Sequence, residues 1–599
     1  MKNEQRIFSI FLFGGMIALL GVSFAQEQEE PSTEIPLETK QSSFFVGSST
    51  SVEKQIVDLF RKKKLTFRAD YPKLRRLAAQ KVAFDHQQQM WAEWGTTPAP
   101  VYSWLEKHPE FLENFLLALH ETHDNIPAAL RIVKHLVTQY PKRVEDYPDL
   151  TIAIAVVWDQ PESIGNGSQG QFQAIDAPNP ATGEELFLYY TDEKNPYKSR
   201  LKMLPWEVLC YVVSHKTSNL QRRWAFETYG RDIRMLGKKY NDVPWIDGNP
   251  PPLAGLPYTL SNMKQHGGVC TCRADFALNL CRSLAVPAFY GGAGFPKYHG
   301  GHSWILWMEF REITPNRFVF TLEQEGRYPE RKDYVAGGGN PQTLQPEDDG
   351  TILLRFSRLG VNISAARHSE ILARVYPLIV NNTQPNLQER LKLLTEMNAV
   401  SSGSLFVWNE IASFGREKQF TKKDVPLVLK LYKKLLSEFA VSPNDLPSLV
   451  SGLLSFPEIK DQREKLYVQL FAMLDAKKRP DLIFEAVQNL AHEELRDKNE
   501  AAALKNLFGA TLKYYEEASR IEPVLILIEQ IAGQDPKANR EKITEFYTRF
   551  LGLVLKKTDL PLDYRLDMLR RAESCFEKYD KPTLQAGAKK EILKLEQLK

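Results

Sequence analysis

The run His266-Gly267-Gly268-Val269-Cys270-Thr271-Cys272-Arg273-Ala274-Asp275-Phe276-Ala277, continued by Cys281-Arg282-Ser283-Leu284 and Val286-Pro287-Ala288, decides how the chain is read. Glycines give way here to a helix. Ala274, Ala277, Cys281 and Leu284 recur at helical spacing and make one apolar face, and Pro287 marks where the helix has already stopped. Cys270 therefore heads the helix. Unpaired amide hydrogens and the helix dipole favour an anion there, which lowers a thiol's pKa and supplies thiolate near neutral pH. The same amides suit an oxyanion. Beyond Pro287 the pattern predicts a strand through Tyr290, a glycine-rich loop from Gly291 to Gly301, and a second strand from His302 through Ser303-Trp304-Ile305-Leu306-Trp307-Met308-Glu309-Phe310.

A cysteine at a helix start and a histidine on a following strand suit thiol acyl transfer, in which imidazole takes the thiol proton and later gives one to the leaving group. The residues Gly267-Gly268-Val269-Cys270, Ala274, Arg282-Ser283-Leu284-Ala285-Val286-Pro287-Ala288 and His302-Ser303-Trp304 resemble the core of the transglutaminase-like superfamily, a papain-like cysteine fold, across residues 265–330. The resemblance implies Cys270 as nucleophile and His302 as base. It departs from the family pattern at two places: Cys272 stands where an acidic residue is common, and the orienting aspartate of the next strand has no clear counterpart. That strand is expected over Arg317–Glu323, after a turn at Pro315-Asn316. At its end, where the resemblance places the orienting carboxylate, Glu323 is the first choice and Glu325 the second. Gln265, five residues before Cys270, is the candidate for a side-chain oxyanion donor. Phe289, Tyr290, Trp304 and Trp307 are either cleft walls or core.

Other readings of the same residues exist. Cys270 and Cys272 with His266, His299 or His302 have a plausible spacing for zinc, although helical positions two apart point about 200° away from each other. A disulfide between them needs strained geometry. Cys210, Cys281 and Cys575 read as small buried hydrophobes.

Working outward, the chain has 599 residues with 43% hydrophobic and 25% charged side chains, a globular composition with material for several domains. The 77 Lys+Arg against 74 Asp+Glu are interspersed, so nucleic acid is not the expected partner. Five cysteines are too few for a disulfide framework. Residues 1–25 read as a signal peptide: Lys2 and Arg6, an apolar run Ile7–Phe24, then Ser23 and Ala25 as small residues for cleavage, with an uncleaved anchor as the alternative. Either places the body outside the cytoplasm, secreted or periplasmic. Residues 26–50 suggest a flexible leader. Residues 51–199 are expected to hold short helices, ending in a linker or insertion over 160–199 with at most a hairpin around Leu186–Tyr190. The transglutaminase-like core spans 200–345, a connecting segment 346–382, and a helical array 383–599 punctuated by Pro443, Pro457, Pro480, Pro536, Pro561 and Pro582. That array is either solenoid-like or an irregular bundle.

The expected fold is thus α+β: a papain-like transglutaminase core, in which a helix packs on an antiparallel sheet, flanked by N-terminal helices and a C-terminal α-helical solenoid-like array. The expected function is thiol chemistry on amide bonds through a Cys270 thioester, by hydrolysis or by acyl transfer to an amine. Protein, peptide or cell-wall peptide is the substrate class, and that chemistry requires neither metal nor organic cofactor. The helical array is expected to bind a protein partner or position a polymeric substrate. The alternative is a decayed core serving as an extracytoplasmic scaffold.

Overall fold

The computed structural model describes residues 47–62, 71–95, 100–165, 169–293, 301–328 and 336–598. The signal segment, most of the leader and His299 lie outside the described residues. The chain is rich in helices and carries one small antiparallel sheet, an α+β composition.

The sheet is built on a hairpin. β2 (His302–Thr314) and β3 (Arg317–Glu325) meet across Pro315-Asn316, with Thr314 opposite Arg317 and the Thr314 Oγ1 donating to the Arg317 carbonyl. A bulge between Phe310 and Glu312 shifts the register. β1 (Ala288–Ala293) pairs with the other edge of β2, and the short strands β4 (Gly337–Gly339) and β5 (Pro346–Asp348) complete the order β3-β2-β1-β4-β5.

Side chains alternate across this sheet, and both faces are covered. Trp307, opposite Ala288, lies against Gly237 of a 3₁₀ segment (Ile233–Asp242), where a Cβ would stand 1.9 Å from its ring. Phe289, on the other face, meets Tyr211 of the helix Trp206–Val213 and Phe356 of the helix Asp349–Val361. The Cys270 helix (Cys270–Ser283) and the 3₁₀ segment lie side by side and both pack on β2. The helix is buried on nearly all sides, including Phe276, Leu278 and Leu280, so the single apolar face expected from its spacing understates its burial.

Three differences from the sequence reading have local causes. Residues 183–190 form a helix instead of a hairpin, because Thr182 and Glu185 make a capping box that satisfies both ends of its first turn. Residues 346–382 are not a connector: they form the helices Asp349–Val361 and Ile363–Thr383, the first covering the sheet and the second fastened by Arg367 to Asp149 and Glu207. The first helix, Ser49–Lys62, packs on the next helix, Tyr71–Asp85, but its core is completed by residues far beyond 199. Its Val52, Ile56 and Phe60 share a core with Leu74, Ile371 and Trp408.

From residue 387 onward the described residues are helical. Most helices that follow one another in sequence pack together down to Pro582–Glu596, and some helices one apart also touch, as the helix Leu405–Arg416 touches Leu446–Leu453. Pro480, Pro536 and Pro582 each open a helix, where a missing amide hydrogen removes no intrahelical bond. Among the described residues no helix is long and apolar enough to cross a membrane.

Candidate active site

The turn before Cys270 is shaped by close backbone approach. Gly267 adopts φ +74, and a Cβ on it would stand 2.5 Å from the Pro244 carbonyl oxygen; one on Gly268 would stand 2.6 Å from Cys272 Cβ. Glycine permits both. The Gly268 amide donates to the Pro244 carbonyl at 3.0 Å, and the Ile246 amide donates to the Gly268 carbonyl at 3.2 Å, so residues 244–246 clamp the turn. Val269 is the N-cap, and no side chain caps the helix. The first-turn amides are thus not taken up by a capping group at the point where Cys270, 8% exposed, begins the helix.

His302 opens β2, opposite Ala293, and is 4% exposed. Its ring stacks on Tyr328 with centroids 4.2 Å apart and on Trp304 at 5.7 Å. Nε2 lies 2.5 Å from the Gly326 carbonyl oxygen. A carbonyl only accepts, so Nε2 carries the proton and Nδ1 is the basic nitrogen of the neutral ring. The orienting acceptor is therefore a backbone group.

Neither carboxylate expected in that role reaches His302. Glu323 is opposite Trp307, five residues along β2, or about 16 Å at strand rise. Glu325 is opposite Ile305 and accepts from Asn241 Nδ2 at 2.7 Å. Gly326 takes the place of both: it follows β3 at φ +90, a conformation that favours glycine, and its carbonyl oxygen lies against the imidazole.

No hydrogen bond joins Cys270 to His302 in this structure, and a residue close to each in sequence, Arg273 and Ser303, is tied instead to Tyr240. The Tyr240 hydroxyl donates to the Ser303 carbonyl at 3.2 Å, and its ring fills the space a Gly326 Cβ would need, 2.6 Å from Cζ. Arg273, one turn beyond Cys270, donates Nε to the Tyr240 carbonyl at 3.1 Å and lays its guanidinium over the ring at 4.4 Å. Burial raises the Tyr240 hydroxyl pKa; Arg273 opposes this, and negative charge at Cys270 adds to it. Tyr240 was not singled out by sequence reasoning. An isolated tyrosine in a basic stretch carries no periodic signal.

The remaining candidates lie at the surface or in the core. Gln265 is exposed in the last turn of the helix Leu260–His266. Trp304 is wholly buried beneath the Arg327 guanidinium, and its Nε1 has no acceptor among the described residues, so it is core. Phe289 and Trp307 are core as well, whereas the Tyr290 hydroxyl reaches Ser303 Oγ at 2.7 Å. Cys272 is fully buried, and burial, with the Asp275 charge second, pushes its thiol up to about 12. It stays protonated at neutral pH. All five cysteines are free, and among the described residues no three His, Cys, Asp or Glu side chains gather as a metal site would require.

The excursion over 160–199 is part of this region. Phe172 lies against Gly268, and Thr271 Oγ1 donates to Gln171 Oε1 at 3.1 Å. On the other flank Trp245, 52% exposed, and Ile246 stand beside the glycine turn. No family model, curated protein or solved structure matches the chain.

Proposed function

We propose that the chain is a transglutaminase-like thiol enzyme acting on amide bonds, with a papain-like arrangement of the Cys270 helix on the sheet. The observation that supports this is the held tautomer of His302: its Nε2–H is committed to the Gly326 carbonyl, so the basic nitrogen is Nδ1, at the start of β2, the second strand after the helix that Cys270 heads and one on which that helix packs. In the reaction, Nδ1 takes the Cys270 proton and the thiolate adds to the amide carbonyl. The oxyanion is met by first-turn amides. The C–N bond then breaks, the amine leaves with the proton from His302, and a thioester remains on Cys270. Water or an amine, deprotonated by His302, releases the acyl group and restores the thiol. The protein acts outside the cytoplasm on protein, peptide or cell-wall peptide, with the helical array presenting the polymer.

The test is capture of an acyl adduct from cell-envelope peptides together with thiol alkylation across pH. Expected is a Cys270 adduct absent in Cys270→Ala, and a reactive thiolate population lost in His302→Ala. A second reading, an extracytoplasmic scaffold with a decayed site, draws on the missing direct hydrogen bond between Cys270 and His302. It requires ordinary thiol kinetics at Cys270, unchanged by His302→Ala.

A further inference from the structure

Far from Cys270, in the C-terminal array, a polar cleft of about 380 Å³ opens between the helices Leu446–Leu453 and Pro480–Arg496. That volume is at the small end of the ligand-site range. Glu485, Asn489 and Arg496 share one face of the second helix, and Ser448, Ser451 and Gly452 one face of the first. Arg416, the last residue of the helix Leu405–Arg416, closes one end. Its Nη1 would stand 2.4 Å from a Cβ on Gly452, so glycine there lets the guanidinium lie against the helix.

Most polar groups of the cleft are already committed. Ser455 Oγ donates to the Ser451 carbonyl at 2.6 Å, Asn489 Nδ2 donates to the Pro447 carbonyl at 3.2 Å, and Arg496 pairs with Glu493. Two charges are not balanced. Among the described residues neither Arg416 nor Glu485 has an ion-pair partner, although both line the same cleft. Among the described residues the Arg416 guanidinium makes one hydrogen bond, at 3.3 Å to the Asn409 carbonyl. Burial first, and then the like charges of Asp481 and Asp445, raise the Glu485 pKa, with Arg479 opposing, so a cation placed beside Glu485 would favour its ionised form. Asn489 is level with Pro447. At 1.5 Å per residue, the levels of Glu485 and Gly452 are therefore roughly 13 Å apart along the helix axes, too far for Glu485 and Arg416 to pair directly.

We propose that this cleft binds a short zwitterionic peptide, its terminal carboxylate on Arg416 and its ammonium at Glu485. An extended chain spans about 3.4 Å per residue, so two to four residues fit the gap. The hydroxyl of Ser448 and the amide of Asn489 face the peptide backbone between the ends. This site does not depend on the chemistry assigned to Cys270.

Calorimetric titration of the full chain with di-, tri- and tetra-alanine tests it. At least one of the three binds, and amidating its C-terminus or acetylating its N-terminus weakens binding at least tenfold. Arg416→Gln reproduces the loss and removes any further effect of amidation; Glu485→Gln does the same for acetylation. These side chains are at the surface, and the modified peptides test the unaltered protein. Failure of all three peptides to bind, or equal binding of free and blocked peptides, overturns the proposal.

Discussion

Gly326→Ala tests the packing that holds His302. The new methyl would stand 2.6 Å from Tyr240 Cζ, and the ring is restrained by its hydroxyl on Ser303 and by Arg273 above it. Overpacking of this kind costs about 1–3 kcal/mol. Holding alanine at φ +90 adds about 1–2 kcal/mol, because an L side chain meets the backbone in that region. The total is about 2–5 kcal/mol, read as an earlier urea unfolding transition of the core that contains β2. If the chain relieves the clash by turning residue 326, His302 loses its acceptor and alkylation of Cys270 slows. Adding Tyr240→Ala should relieve the overpacking part of the Gly326→Ala penalty while leaving the backbone part. A Gly326→Ala protein within about 0.5 kcal/mol of the parent, with unchanged Cys270 alkylation, would refute the reasoning.

Glu323→Gln should leave the pH profile of Cys270 alkylation unchanged, since Glu323 lies five residues along the strand from the histidine; a shifted profile would restore it as the orienting group. Cys272 should resist labelling in the native protein at pH 8, detected by peptide mass spectrometry. Its folded-state pKa, about 12, exceeds the ordinary 9.0, so its contribution to stability is present below pH 9 and falls by about 1.4 kcal/mol per pH unit above it. Asp159 is pushed up to about 7, chiefly by burial and then by the Asp124 charge. Its protonated form therefore stabilises the fold below the ordinary 3.8, and that contribution is lost as pH rises through 7. Asp159→Asn should be the more stable protein at pH 8, by about 2–4 kcal/mol, with the advantage shrinking towards pH 4 in thermal melts.

Much of the local structure was legible from residue spacing. The helix beginning at Cys270, the strand beginning at His302 and the strand from Arg317 stand where glycines, prolines and apolar periods place them, with the last running to Glu325. The capping box at Thr182 and Glu185 was equally readable, since it is a four-residue signal, but the aromatic run beside it suggested a strand. The site was legible only in part. A search for side-chain carboxylates does not find the Gly326 carbonyl, because every residue carries such a group and only the turn after β3 selects one.

Order along the chain, set by short-range sterics and by the periods of helix and strand, determined where each element begins and which residues head it. Partnership between distant segments was decided by the tertiary structure alone. Tyr240 is joined to both Arg273 and Ser303, Phe172 closes on Gly268, and the first helix shares a core with residues more than 300 positions later. Apolar surface is buried wherever shapes fit, and that fit depends on all the elements at once rather than on any stretch of sequence.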